Sequence, residues 1–210
     1  MAPRPSVIAL SCLLLTVACG PKQPPENAPP VAALPLPTAG IAGQAVPVYP
    51  LTLLSADVAL GWEAALTPHR DALARADSII AALLTERSPE VSWILPPALR
   101  HAAAQAPGLL ADPDRIGTAL LRVPGLKVIP DPLRSQMRQL NAVAGGRYAF
   151  VPAALVYLRT PEGRARAQLT VVLADVRSGQ IGWWTVANAE GADPWAALIA
   201  ACKTLTPGLP

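Results

Sequence analysis

Cysteine is scarce in this sequence, and its placement excludes a disulfide-stapled domain. Three of the 210 residues are cysteine: Cys12, Cys19 and Cys202. The first two lie within the first nineteen residues, so the rest of the chain keeps only Cys202. A single thiol has no partner within its own chain, and the fold must therefore be held by its apolar core. We interpret Cys202 as a small buried residue of a C-terminal helix rather than as a nucleophile.

Charge is also sparse, and the two signs are mixed along the chain. Charged residues make up 15% of the sequence, and the net charge is +3. No basic stripe stands out from this mixture, so nucleic acid is not expected as a partner. After the N-terminal segment, no apolar run approaches the roughly 18 residues that a membrane-spanning helix needs.

Motifs of catalysis and of metal binding are missing as well. His69 and His101 each stand without a cysteine or a second histidine at ligand spacing. The sequence has no Gly-x-Ser-x-Gly elbow, no phosphate-binding loop, no dinucleotide fingerprint and no His-Glu-x-x-His helix. We therefore predict no catalytic residue, no metal site and no cofactor, and we expect the chain not to be an enzyme.

The N-terminus carries the most informative pattern that is present. Arg4 precedes an apolar run over 7–17, and a small residue, Ala18, comes directly before Cys19. This arrangement resembles the export signals of bacterial lipoproteins. The resemblance implies cleavage before Cys19, acylation of Cys19, and a protein that is lipid-anchored in the cell envelope. Gly20 follows this cysteine, which resembles the pattern of lipoproteins that are sorted to the outer membrane. The resemblance implies an outer-membrane protein that faces the periplasm. An ordinary secretory signal or a short amphipathic anchor remains an alternative for this segment.

Proline then separates this signal from the rest of the chain. Seven prolines punctuate the segment 20–43, which has no aromatic residue and cannot bury enough apolar surface to offset the entropy of ordering it. We predict a signal peptide at 1–18, a lipidated cysteine with a proline-rich tether at 19–43, and a single periplasmic domain at 44–210. That last stretch is long enough for one sizeable core.

Within the domain, the patterns predict an α/β (α+β) fold. Apolar runs indicate strands at 46–54, 91–95, 148–158, 165–176 and 180–187, and short glycine-containing turns make the last three an antiparallel meander. The segment 169–173 is apolar throughout and is predicted to be central in the sheet. Helices are predicted after Thr67, after Pro97, after Asp112, after Asp131 and after Asp193, where these Thr and Asp side chains can act as caps. In the first helix, Asp77 falls away from the apolar stripe. The overall prediction is a mixed sheet, ending in a three-stranded antiparallel meander, packed by helices.

The meander carries a second resemblance. Residues 169–183 place the turn Asp175-Val176-Arg177-Ser178-Gly179 between two apolar strands, and the preceding residues 145–151 run Gly-Gly-Arg-Tyr-Ala-Phe-Val. These segments resemble a group of envelope domains that includes the curli-secretion lipoprotein, the lipoprotein activators of penicillin-binding proteins and the amino-terminal domain of TolB. The resemblance implies an α/β domain that acts as an adaptor.

These observations give a hypothesis of function. We expect a noncatalytic binding or adaptor module in envelope assembly or maintenance, attached to the membrane through Cys19, with a periplasmic or outer-membrane protein as its partner. Candidate partner-binding residues are Arg177, Ser178 and Gly179 at the hairpin turn and Trp184 in the last strand. Two alternatives remain: a periplasmic hydrolase acting on cell-wall or lipid material, and a structural subunit of an export assembly. A cleft with converging carboxylates favours the hydrolase, whereas a broad apolar patch favours the adaptor.

Overall fold

The computed structural model describes residues 32–206, which fold around a four-stranded mixed sheet. The strands are β1 Ala45–Pro47, β2 Leu54–Ala56, β3 Ser92–Ile94, β4 Tyr148–Arg159, β5 Ala165–Asp175 and β6 Gln180–Glu190. The helices are α1 His69–Arg87, α2 Pro96–Ala104, α3 Leu133–Ala144 and α4 Pro194–Leu205, and a 3₁₀ helix covers Thr118–Arg122. None of the helices in this part of the chain is long and apolar enough to cross a membrane.

The predicted meander forms the main part of the sheet. The strand order is β2-β4-β5-β6, in which β2 runs parallel to β4 and the other neighbours are antiparallel. Strands β1 and β3 form a separate parallel pair, and Val48 continues from β1 to bridge Phe150 of β4. Both the mixed α/β fold and the interior position of the apolar segment in β5 are confirmed.

The sheet separates two apolar cores because successive side chains of a strand point to opposite faces. On one face, Phe150 and Leu169 pack with residues of α1 and α4, such as Ile80 and Leu198. On the other face, Val151 and Val172 pack with α2, α3 and the 3₁₀ helix, of which the buried members include Leu99, Met137, Leu140 and Leu121. Burial on both faces explains why β5 reads as a continuous apolar run.

The folded unit includes part of the segment that the sequence predicts as tether. Leu36 and Ile41 are buried in the α1/α4 core. The Leu34 amide donates to Thr185 Oγ1 (2.9 Å), and the Leu36 amide donates to the Leu205 carbonyl (2.7 Å). Burial of two large apolar side chains offsets the cost of ordering these residues, so the packed unit extends N-terminal to residue 44. The predicted signal peptide and Cys19 lie outside the described residues.

The predicted strand at 46–54 is two short strands, β1 and β2, with a break between them. The break has a polar cause: the amide of Leu51 is bound by the Asp77 carboxylate (2.8 Å) rather than by a neighbouring strand. An amide that bonds a side chain is lost to the strand ladder. The strand pattern in the sequence is correct on either side of this point, where Leu54 pairs with Leu155.

Three of the predicted helix caps are wrong. No α-helix follows Asp112, whose Oδ1 accepts the Asp114 amide (3.0 Å) within a turn. Helix α3 does follow Asp131, but this carboxylate accepts the Ser135 hydroxyl (3.1 Å) instead of a backbone amide. Thr67 donates its hydroxyl to the Glu63 carbonyl and does not cap α1. Asp193 is the cap that the sequence predicts correctly, since its Oδ1 accepts the Trp195 and Ala196 amides at 2.8 and 2.9 Å.

Candidate functional site

The hairpin turn between β5 and β6 places Arg177, Ser178 and Gly179 together. Asp175 Oδ1 accepts the amides of Arg177 (2.9 Å) and Ser178 (3.1 Å), and the Gly179 amide donates to the Asp175 carbonyl (2.7 Å). Gly179 has φ +80°, a conformation that glycine adopts without strain. Arg177 and Ser178 are therefore held exposed by a turn whose own backbone bonds are satisfied.

Trp184 does not share this location. It lies five residues beyond Gly179, opposite Val172, which corresponds to about 16 Å along an extended strand. Its ring is half-buried in the core beside α3, and its indole N–H donates to the Leu121 carbonyl (3.0 Å). Trp183 packs into the core on the opposite face, as strand alternation predicts. Of the four residues predicted for partner binding, the structure thus brings three together.

Arginines from three elements meet around the turn. Arg138 of α3, Arg147 before β4 and Arg177 line a surface pocket of about 290 Å³. Arg134, one helical turn before Arg138, lies against Gly179 so closely that a Cβ at position 179 would come within 2.5 Å of its Nε. We call Arg134, Arg138, Arg147 and Arg177 the arginine end of the domain.

Helix α3 is fixed against the sheet by a buried polar contact. Asn141 accepts the Tyr49 hydroxyl at Oδ1 (2.7 Å) and donates through Nδ2 to the Tyr148 carbonyl (3.0 Å). Asn141 and the Tyr49 ring are both buried. Breaking a hydrogen bond costs more free energy in the interior than at the surface. These buried bonds therefore fix the position of α3 and of the two arginines that it carries.

The arginine end holds more positive than negative charge. Arg147 binds the Asp175 carboxylate through Nε (2.9 Å) and Nη2 (2.6 Å). Burial acts to raise the pKa of Asp175, but the Arg147 guanidinium and the amides of Ser178 and Arg177 outweigh it and lower the pKa. The guanidinium groups of Arg134, Arg138 and Arg177 have no side-chain acceptor among residues 32–206. Guanidinium groups in this state are suited to carboxylate or phosphate oxygens of another molecule.

Sequence analysis finds Arg177 in this cluster but not the other three arginines. Arg134 and Arg138 are four residues apart and therefore lie on the same face of α3, beside the stripe of its buried Leu133, Met137 and Leu140. This spacing is the one signal in the sequence that points to them. Their approach to Gly179 depends on how α3 packs on the sheet, and sequence periodicity does not contain that information.

A second set of charged residues surrounds a cleft that is lined by α1, α2 and the turn at residues 112–115. Asp77, which the sequence places away from the apolar stripe of α1, is only 6% exposed. Its carboxylate accepts the Leu51 amide and Arg100 Nη2, both at 2.8 Å. The same guanidinium binds the Asp114 carboxylate, with Nε–Oδ2 at 2.9 Å and Nη2–Oδ1 at 2.8 Å. The helical pattern of α1 predicts that Asp77 lies away from the buried side. The structure shows it buried, because its partners, the Leu51 amide and Arg100, lie on other elements.

These bonds give the carboxylates of Asp77 and Asp114 a structural role. Burial raises the pKa of Asp77, and the bonds from Leu51 and Arg100 offset this only in part. The Asp114 carboxylate raises the pKa of Arg100, which stays charged. Both acids therefore face a permanent cation, and their oxygens accept hydrogen bonds from Arg100 and, for Asp77 Oδ1, from the Leu51 amide. A hydrolase needs one carboxyl group free to give a proton and another free to accept it, an arrangement that this pair does not provide.

The remaining reactive side chains are few. No group of three His, Cys, Asp or Glu side chains within residues 32–206 is placed to hold a metal ion. Cys202 is buried in α4, and burial raises the pKa of its thiol to about 12. A thiol with so high a pKa stays protonated near neutral pH and is a poor nucleophile.

Comparisons with known proteins give a distant similarity in fold. No protein-family model matches the sequence, and a comparison with curated proteins found no match. Similar solved structures include the PelC dodecamer from Paraburkholderia phytofirmans, with 16% identity, a TM-score of 0.38 and coverage of 86% of this chain and 97% of that one. The LpoB C-terminal domain from Salmonella enterica has 17% identity and a TM-score of 0.39, covering 71% and 84%. Lipoprotein GNA1162 from Neisseria meningitidis has 15% identity and a TM-score of 0.36, covering 70% and 81%. The similarity agrees with the resemblance to envelope lipoproteins read from the sequence.

Proposed function

We propose that this protein is a lipid-anchored component of the bacterial envelope whose domain binds another envelope protein without catalysing a reaction. The observation that carries the proposal is the arginine end. Three of its guanidinium groups have no side-chain acceptor among the described residues, while Asp77 and Asp114 of the cleft are both paired with Arg100. The arginine end thus presents these cations at the surface, and such cations serve recognition of another molecule.

The charge of the arginine end selects an acidic partner surface. Arginine is enriched at the centres of protein interfaces because its planar group makes several directed bonds and packs on other side chains. The neighbouring pocket can receive one carboxylate side chain beside Arg138 and Arg177. Most of these contacts are exposed, so their affinity falls as salt rises.

The anchor and tether make a weak interface sufficient. Acylation of Cys19 would hold the chain at the membrane, and several acyl chains on one residue bind firmly. Prolines recur through residues 21–30, and such a segment reaches about 3.1 Å per residue. A domain held this way searches a small volume, where the effective concentration of a partner reaches about the millimolar range.

Crosslinking in the native envelope tests where the partner sits. A photoreactive benzoylphenylalanine at position 178 places the probe at the exposed turn of the arginine end. The matched control places it at exposed position 162, in the hairpin turn at the opposite end of the sheet. We expect one dominant protein adduct from position 178 and little from position 162. Equal yields from the two positions, or adducts from position 162 alone, contradict docking at the arginine end.

The anchor has its own test. Replacing Cys19 by serine removes the sulfur that acylation requires, so Cys19→Ser should take up no labelled fatty acid and should accumulate as an uncut or soluble form. The control is Cys12→Ser, which removes a cysteine of the same segment and should be labelled like the original chain. Labelling of the Cys19→Ser protein would overturn the lipoprotein assignment and would leave the binding site untouched.

A further inference from the structure

The cleft beside the Asp77–Arg100–Asp114 bonds is large enough to hold a small molecule. Its volume is about 640 Å³, within the range of about 300–1,000 Å³ that is usual for small-ligand sites. The walls come from the chain around Leu51 and Thr52, the first turns of α1, Arg100 of α2 and the turn that contains Asp112, Asp114 and Arg115. It shares none of its lining residues with the pocket at the arginine end.

The walls are held in place without a ligand. Asp77 ties α1 to the Leu51 backbone and to Arg100, and Arg100 ties α2 to Asp114. The hydroxyl groups of Thr52 and Thr118 are 2.8 Å apart and join the chain after β1 to the 3₁₀ helix. A site whose walls are already ordered loses less entropy when a ligand binds.

Two cations line the cleft without side-chain partners. Arg70 projects from the first turn of α1, and Arg115 from the facing turn; within residues 32–206 neither guanidinium has a bonded acceptor. Of the acids in the lining, Asp114 is bound by Arg100, and Asp112 Oδ1 accepts the Asp114 amide. His69 stands beside Arg70, and Leu51, Leu73 and Ala74 supply an apolar wall.

We propose that this cleft binds a small molecule with an oxyanion group, a carboxylate or a phosphate, attached to an apolar or mixed body. Arg70 and Arg115 each donate to the oxyanion, because a guanidinium presents two parallel N–H groups to such oxygens. The body of the molecule lies against Leu51, Leu73 and Ala74. Arg100 is held by Asp77 and Asp114 through Nε and Nη2, and its role is to keep the cleft walls in place. This site is independent of the partner docking proposed above.

Three probes of similar size distinguish binding of a phosphate from binding of a carboxylate and of a neutral molecule. Phenyl phosphate carries the phosphate, benzoate carries the carboxylate, and benzyl alcohol is the neutral match. Binding to the full chain in detergent is followed by ¹H–¹⁵N NMR at the amides of Thr52, His69 and Arg115. We expect saturable shifts at these amides for one or both anions and none for benzyl alcohol. A response to phenyl phosphate alone assigns a phosphate ligand, and a response to benzoate alone assigns a carboxylate ligand.

Substitutions locate the binding. Arg70→Gln and Arg115→Gln each remove one exposed guanidinium and should each weaken anion binding about tenfold, the loss of one charge-assisted hydrogen bond. Arg122→Gln removes an exposed arginine outside the cleft and should leave the affinity unchanged. Circular dichroism checks that all three variants fold. No saturable shift with either anion, equal binding of benzyl alcohol, or full affinity in Arg70→Gln and Arg115→Gln overturns the proposal.

Discussion

Replacing Asp77 by alanine should destabilise the protein by an amount that follows from its contacts. The Asp77 side chain is 7% exposed and accepts bonds from the Leu51 amide and from Arg100. Removing it leaves a buried amide without an acceptor, which costs about 1–3 kcal/mol. Arg100 loses one of two carboxylates but keeps Asp114 and is 35% exposed, so its loss adds only about 0.5 kcal/mol. We expect a fall of about 1.5–3.5 kcal/mol in the free energy of unfolding.

Thermal and urea unfolding, followed by tryptophan fluorescence, measure this change. For a chain of this size, about 2–4 °C of melting temperature corresponds to 1 kcal/mol, so the melting temperature of Asp77→Ala should fall by about 3–14 °C. The matched control is Glu86→Ala, an exposed carboxylate of the same helix, for which we expect a change within about 0.5 kcal/mol. Equal stability of the two variants would refute the reasoning that the Asp77 carboxylate holds Leu51 and Arg100 in place.

Three further outcomes follow from the structure. Because the pKa of Asp175 is lowered in the folded protein, its contribution to stability is present above the ordinary carboxyl pKa of about 4 and is lost as the pH falls through the lowered value; ¹³C NMR titration of this carboxyl should show the low midpoint. Gly146→Ala should lower the free energy of urea unfolding by at least about 2 kcal/mol more than Gly163→Ala does. Both glycines have positive φ, but only at position 146 would the new Cβ collide with the Ala45 carbonyl oxygen and displace the backbone. Cys202 should react with a thiol reagent at pH 8 only as fast as the protein opens, since its thiol is buried with a pKa of about 12; rapid labelling of the native protein would contradict its burial.

The sheet could be predicted because its information is local. Strands β4, β5 and β6 are long and carry dense apolar patterns. The turns that join them are recognisable from their sequences, Thr160-Pro161-Glu162-Gly163 and Asp175 to Gly179. A hairpin forms between neighbours in sequence, so turn chemistry and strand pattern determine the pairing together. The Asp193 cap is local in the same way.

The parts that sequence reasoning missed depend on contacts between distant residues. A carboxylate is by default an exposed residue, and only the Leu51 amide and Arg100, on other elements, make burial of Asp77 favourable. Trp184 follows strand alternation correctly, but Leu121 of the 3₁₀ helix covers it and takes its N–H. Such partners are chosen by the packing of elements, which periodicity along one element does not specify.

The central claim is that the arginine end binds an acidic partner surface, and charge reversal in the native envelope tests it most directly. The measurement is the yield of the partner crosslink from benzoylphenylalanine at position 178 in three chains: the original, the double variant Arg138→Glu with Arg177→Glu, and the double variant Arg159→Glu with Arg122→Glu. The last pair reverses two exposed arginines away from the arginine end. We predict that reversal at Arg138 and Arg177 lowers the yield at least about tenfold, while the control pair keeps it. An unchanged yield with Glu at positions 138 and 177, or an equal loss in the control pair, would contradict the proposed docking.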